Sequence, residues 1–191
     1  MGRWQPDSKG RLQEAALALY AERGFDQTTA AQIAARAGVT ERTFFRHFAD
    51  KREVLFAGSE LLGGRIVEVV AGAPGDGGAL EAVTCGLAAA AAMLGEGRRD
   101  LARQRHAVIR ANPELREREL AKLADYAAAV AGALRARGVD EPAASLAADA
   151  GMTVFRVAVE RWAGEADERP LEQVMKDAMA TLRAVVGASA R

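Results

Sequence analysis

Apolar side chains return every third or fourth residue along almost the whole chain, and the alternating β-branched pattern that a strand requires is absent. Alanine, the residue that costs a helix least, dominates the positions between them. A chain patterned this way folds by packing helix on helix, and no strand is predicted. The first stripe is Leu12, Ala16, Leu19 and Tyr20 in a helix over 8–23 that Gly24 stops. Thr29 caps a short helix over 30–37, with Ile33, Ala34 and Ala37 facing inward and Gly38 at its end. Thr40 caps a third helix reaching 48, and Asp50 with Glu53 three residues on predicts a long fourth helix over 50–71. After the break APGDGG at 73–78, five more helices are predicted at 79–94, 98–111, 113–137, 142–163 and 170–187. Asn112 and Asp140 serve as caps, Gly138 as a stop and Pro170 as a first-turn proline.

The 191 residues are half apolar, enough for one good core or for one core with a small satellite domain. Acidic and basic residues balance at 26 each, so any sign of a polyanionic partner must be local. Cys85 is the only cysteine, which excludes an internal disulfide framework and multi-cysteine metal sites and suits a reducing cytoplasm. The longest apolar run, Leu87 to Leu94, is too short to span a bilayer, and the first residues carry no apolar leader. A cytoplasmic protein with no membrane partner is expected.

The stretch GVTERTFFRHF at 38–48 carries the chemistry. Two helices of about eight residues around a glycine turn form a helix-turn-helix pattern, whose second member enters the major groove of DNA. The spacing alone fits any pair of short packed helices equally well. The sorting of side chains separates the two readings. Phe44 and Phe48 lie four apart and close a small core with Val39 and Ile33, whereas Thr43 with His47, and Arg42 with Arg46, form ridges that face outward together. Arginine matches the guanine edge with two hydrogen bonds, and threonine offers a hydroxyl and a methyl to a base pair. Helix starts at Thr29 and Asp50, with Lys51 and Arg52 beside the latter, are placed to hold phosphates. Arg3 and Trp4 read either as a minor-groove arm or as a loose end. Residues 1–56 hold nine Lys or Arg against seven Asp or Glu, so binding must come from placed contacts rather than bulk charge.

The segment FDQTTAAQIAARAGVTERTFFRHFADKREVL, residues 25–55, resembles the DNA-binding domain of the TetR family of bacterial transcriptional regulators, in a match running from about residue 9 to 56. The resemblance implies an all-α protein of about nine helices: a three-helix DNA-binding domain at 1–56 and a helical effector-binding and dimerisation domain at 57–191. It further implies a homodimer on a double-stranded operator with two-fold symmetry, most simply a repressor released by a small hydrophobic effector. By that resemblance Thr29, Thr40, His47 and Lys51 hold the DNA backbone, while Arg42, Thr43 and Arg46 reach bases. Two residues depart from the family pattern. Phe45 stands where tyrosine is usual and loses a phosphate hydrogen bond, although its ring can press on sugar or a thymine methyl. Glu41 is acidic where lysine is frequent, which suits the first turn of a helix or a cytosine amine.

In the second half, the helix over 142–163 carries Ala147, Ala150, Val154 and Val157, and the helix over 170–187 carries Val174, Ala178 and Leu182. Such stripes serve intramolecular packing, or, by analogy with the family, a four-helix dimer interface. Met93, His106, Ile109, Tyr126, Phe155 and Trp162 are the candidate walls of an effector pocket among the fifth to seventh helices. HAVIRANPELRERELAKL, residues 106–123, is similar to effector domains that respond to acyl-CoA or other hydrophobic metabolites. No cofactor and no metal are expected, because no metal-spaced cluster, carboxylate pair or phosphate loop occurs. An all-α enzyme or carrier would have only Cys85 and His106 as nucleophile and base. A ligand-independent autoregulator or an activator fits the same residues as a repressor.

Overall fold

The computed structural model describes residues 8–75, 77–164 and 168–187. Arg3 and Trp4, and any arm they form, lie outside the described residues. Among those described there are nine α-helices and no strand. They are α1 (Ser8–Arg23), α2 (Ala30–Arg36), α3 (Glu41–His47), α4 (Ser59–Ala71), α5 (Ala79–Leu94), α6 (Arg99–Ala111), α7 (Pro113–Ala136), α8 (Ala143–Ala163) and α9 (Leu171–Gly187). Short 3-10 turns at Glu53–Phe56 and Glu96–Arg98 precede α4 and α6. Among the described residues no single helix is long and apolar enough to cross a membrane.

The predicted fourth helix over 50–71 is broken. Asp50 caps the turn after it, its Oδ1 accepting the N–H groups of Arg52 and Glu53 at 2.8 and 3.1 Å. The 3-10 turn ends at Phe56, and two residues on stands Gly58, whose φ of +84° lies in the left-handed region open to glycine. Only beyond it does α4 begin.

The helices form two compact units, the first comprising the chain up to Ser59 with Leu101–Arg116, the second Glu60–Asp100 with Glu117 onward. This is not a single cut at residue 56. Nearly all of α6 and the start of α7 belong with the N-terminal helices, where Val108, Ile109 and Leu115 share a core with Leu12, Leu17, Ile33, Phe44 and Val54. Three helices of seven to sixteen residues bury too little apolar surface to be comfortable alone, and α6 supplies the missing wall.

In the second unit α8 packs along α9, and α5 lies against both. Small residues set these distances. A Cβ on Gly151 of α8 would stand 2.3 Å from Val83 Cγ1 of α5, and one on Gly86 would stand 2.8 Å from Val70 Cγ2 of α4. Gly151→Ala is therefore expected to destabilise the protein by about 1–3 kcal/mol through overpacking. Urea unfolding checks this, and Val83→Ala in the same chain should recover part of the loss. Among the described residues Trp162 is the largest fully buried side chain.

Candidate nucleic-acid interface

The turn between α2 and α3 is made by Gly38, at φ +67°. The chain then returns so that the Val39 N–H donates to the Ala34 carbonyl at 2.9 Å, while Arg11 of α1 donates to the Ala37 carbonyl at 3.1 Å. Thr40 opens α3, its Oγ1 accepting the Thr43 N–H at 3.1 Å and lying 3.0 Å from the Thr43 hydroxyl. This start decides which way α3 faces. Phe44 is fully buried and Phe48 nearly so, their ring centres 5.7 Å apart. On the other side Arg42 and Arg46 are exposed, and neither is bonded to another described residue. Phe45 stands between them, 52% exposed, with its ring edge-on to Phe44 at 5.2 Å. Two free guanidiniums, an aromatic ring and a hydroxyl thus share one outward strip of a short helix, which is the chemistry of base-edge reading.

The residues expected to hold phosphates are arranged differently from expectation. Thr29 forms a complete capping box with Gln32, its Oγ1 accepting the Gln32 N–H at 3.2 Å and its own N–H donating to Gln32 Oε1 at 2.9 Å. That N–H is therefore not free for an anion. His47 is half-buried, with Nε2 2.8 Å from Ser8 Oγ, which ties the end of α3 to the start of α1.

Lys51 is turned to another task. Its ammonium donates to the carbonyls of Phe25 at 2.8 Å, Thr28 at 3.0 Å and Asp26 at 3.3 Å, and sits 4.3 Å from the Phe25 ring centre. Three carbonyls account for the three N–H donors of an ammonium, so the group holds the loop before α2 rather than standing ready for a phosphate. The Lys51 carbonyl is itself fixed by the Tyr20 hydroxyl, which donates to it at 2.6 Å. Burial, with help from the Asp50 charge, pushes that phenol's pKa well up. Lys51→Met is expected to lower stability by about 1.5–3 kcal/mol, the range for hydrogen bonds to a charged group. The slope of log affinity for DNA against log salt should stay unchanged; a slope shallower by about one would show a phosphate contact instead.

Arg52 is also engaged. It donates to Asp50 Oδ2 from Nη2 at 2.7 Å and from Nε at 3.0 Å, and its Nη1 lies 3.8 Å from Glu114 at the start of α7. Partial burial alone would raise the Asp50 pKa, but the Arg52 guanidinium and the two backbone N–H groups outweigh it and hold the carboxyl below its usual range. Arg105 of α6 donates from Nε to the Leu55 carbonyl at 2.8 Å, with its guanidinium 5.2 Å from the Phe56 ring centre. No sequence signal pointed to these ties, because the apolar face of α6 reads alike whichever unit it joins.

The candidate effector and dimer residues are placed as follows. Ile109, expected to line an effector pocket, is 1% exposed in the core of the first unit, and His106 lies in the same inserted segment. Tyr126 packs its ring against Gly63 of α4, Phe155 and Trp162 are buried in α8, and Met93 is exposed at the end of α5. Of the residues assigned to a dimer interface, Val154, Val174 and Ala178 are buried inside one protomer, where α8, α9 and α5 pack. Ala147, Ala150, Val157 and Leu182 are half-buried, beside the exposed Leu146, Val185 and Val186.

A family model described as bacterial regulatory proteins of the tetR family matches residues 12–57, and a second, described as the MftR C-terminal domain, matches residues 78–187. An uncharacterised HTH-type transcriptional regulator of Mycobacterium tuberculosis is 34% identical over 88 residues, 46% of this chain and 45% of its own. The chain thus spans just under half the length of that curated relative. The FadR regulator of Bacillus subtilis, solved with stearoyl-CoA, is similar in structure with a TM-score of 0.61 and 22% identity, over 91% of this chain and 96% of its own. SmeT, solved with triclosan, is similar with a TM-score of 0.62 and 21% identity, over 93% and 90%. These two share the fold. The outward strip of α3 and the helical architecture behind it meet in one conclusion: the chain belongs to the TetR family of bacterial transcriptional regulators.

Proposed function

We propose that this regulator is a homodimeric repressor that reads an operator with two-fold symmetry and leaves it when a small, mostly apolar effector binds the second unit. The observation that carries this reading is α3 itself, with Phe44 and Phe48 buried on one side and Arg42, Phe45 and Arg46 free on the other. Arg42, Thr43 and Arg46 read base edges, and Phe45 presses on a sugar or a thymine methyl. Thr29, Thr40 and His47 border the groove and approach the backbone, while Lys51 positions the loop that carries Thr29. The protein acts in the cytoplasm and by binding rather than by turnover.

Dimerisation fixes the spacing of two reading heads. The outer face of the α8–α9 hairpin supports it, since Leu146 at the start of α8 and Val185 and Val186 at the end of α9 are about two-thirds exposed. Ala147, Ala150, Val157 and Leu182 continue that face. An apolar effector is supported by the lipid and drug ligands of the two structural neighbours. Met93, Tyr126, Phe155 and Trp162 of the second unit are its proposed walls. A coupling of roughly 1–3 kcal/mol between the two sites changes operator affinity by about 5- to 150-fold, enough for release.

Selection of genomic fragments bound by the purified protein, followed by release with a panel of apolar metabolites, tests the whole reading. A palindromic site occupied by two protomers and vacated by one compound class is the expected result. A site without symmetry, or one that no metabolite vacates, would refute the dimeric or the effector-released part respectively.

A further inference from the structure

The C-terminal end of α8 and the first residue of α6 hold two buried donors with no acceptor among the described residues. Trp162 is fully buried, and its indole Nε1 has no hydrogen-bond partner. Arg99 lies over that indole, with its guanidinium carbon 5.8 Å from the ring centre, and donates from Nε to the Trp162 carbonyl at 3.2 Å. Its Nη2 is buried and likewise without a partner. Both residues belong to the second unit.

Leaving a buried donor unmade costs about 1–3 kcal/mol and more for a charged one, and the ring face offsets only part of a guanidinium's charge. The group that would relieve both donors has defined properties. It carries a negative charge to balance Arg99, and it accepts without donating. It offers two oxygens, one for the guanidinium and one for the indole. A carboxylate meets all three requirements, while a hydroxyl carries no charge and only one oxygen, and an ammonium is repelled. Phe155, two turns earlier on α8, is buried as Trp162 is.

We propose that Arg99 and Trp162 form an acid-binding end of the effector site, taking the carboxylate of an amphipathic monocarboxylic acid between the Arg99 Nη2–H and the Trp162 Nε1–H. This rests on the effector reading above and narrows its ligand class. It also gives the ligand a handle on the switch. Arg99 opens α6, and from Leu101 onward that same helix supplies Val108 and Ile109 to the core of the DNA-reading unit.

Trp4 and Trp162 are the only tryptophans, so Trp4→Phe leaves Trp162 as the sole indole reporter. Titrating that full-length protein with decanoate and with 1-decanol, read by indole emission and by calorimetry, compares an acid and an alcohol on equal chains. Decanoate is expected to shift the emission and to bind at least about tenfold more tightly than the alcohol, the low end for a charge-assisted hydrogen bond. Arg99→Gln should erase that preference while leaving the alcohol's affinity as it was, and Arg99→Lys should keep part of it. The acid–alcohol comparison on the Trp4→Phe protein needs no change at Arg99, so it stands even if Arg99→Gln folds poorly. Equal affinity for acid and alcohol overturns the assignment and leaves an apolar effector in place. Failure of both to bind overturns the assignment together with the effector reading.

Discussion

Phe44→Ala is expected to lower the stability of the first unit by about 3–5 kcal/mol, the range for truncating a buried aromatic side chain. Phe44 is fully buried and meets both Phe45 and Phe48, at ring separations of 5.2 and 5.7 Å. Helix α3 has only seven residues, far below the length at which a helix holds itself together in water. Its order is therefore borrowed from the core through Phe44. Urea unfolding followed by circular dichroism should show a large drop in midpoint, and specific DNA binding should be lost with it. Phe44→Leu, which keeps an apolar side chain in place, should cost much less. A Phe44→Ala protein as stable as its parent would mean that α3 is anchored by something other than this ring.

Arg42→Ala should leave stability nearly untouched and strike affinity instead. The side chain is exposed and bonded to no other described residue, so its removal orphans nothing within the fold. On DNA, a well-placed bidentate contact discriminates by roughly 1–3 kcal/mol, and a dimer loses one at each half-site. The expected cost is about 2–6 kcal/mol, at least roughly 30-fold in affinity for the selected operator. Binding to random duplex should fall far less, because the lost contact is to a base. Fluorescence anisotropy on the two DNAs separates the effects. An equal loss on both would assign Arg42 to the phosphate backbone.

Local chemistry was legible residue by residue. Thr29 and Thr40 cap where threonines followed by short apolar-periodic runs say they must, and Gly38 makes the turn. Phe44 points in and Arg42 points out because a helical period leaves no other arrangement for that spacing. Asp50 misled, since a capping signature does not say how far the turn it starts will run, and Gly58 interrupts the helix. At Lys51 the sequence left the partner open. An ammonium near a loop can meet a phosphate or a carbonyl, and the positions of the carbonyls of Phe25, Asp26 and Thr28 are a tertiary matter.

What the sequence determined by itself was every helix's existence, the inward and outward sides of α3, and the kind of chemistry that the outward side offers. These follow from backbone propensity, capping and a 3.6-residue period, which act over a few neighbouring residues. Only the tertiary structure decided the partners: that Ile109 completes the core of the first unit, that Val154, Val174 and Ala178 are buried inside one protomer, and that Arg99 lies over Trp162. The physical reason is that apolar burial is non-directional. A greasy stripe gains nearly the same free energy against any complementary surface, so which surface it meets is settled by the whole chain's packing and not by the stripe.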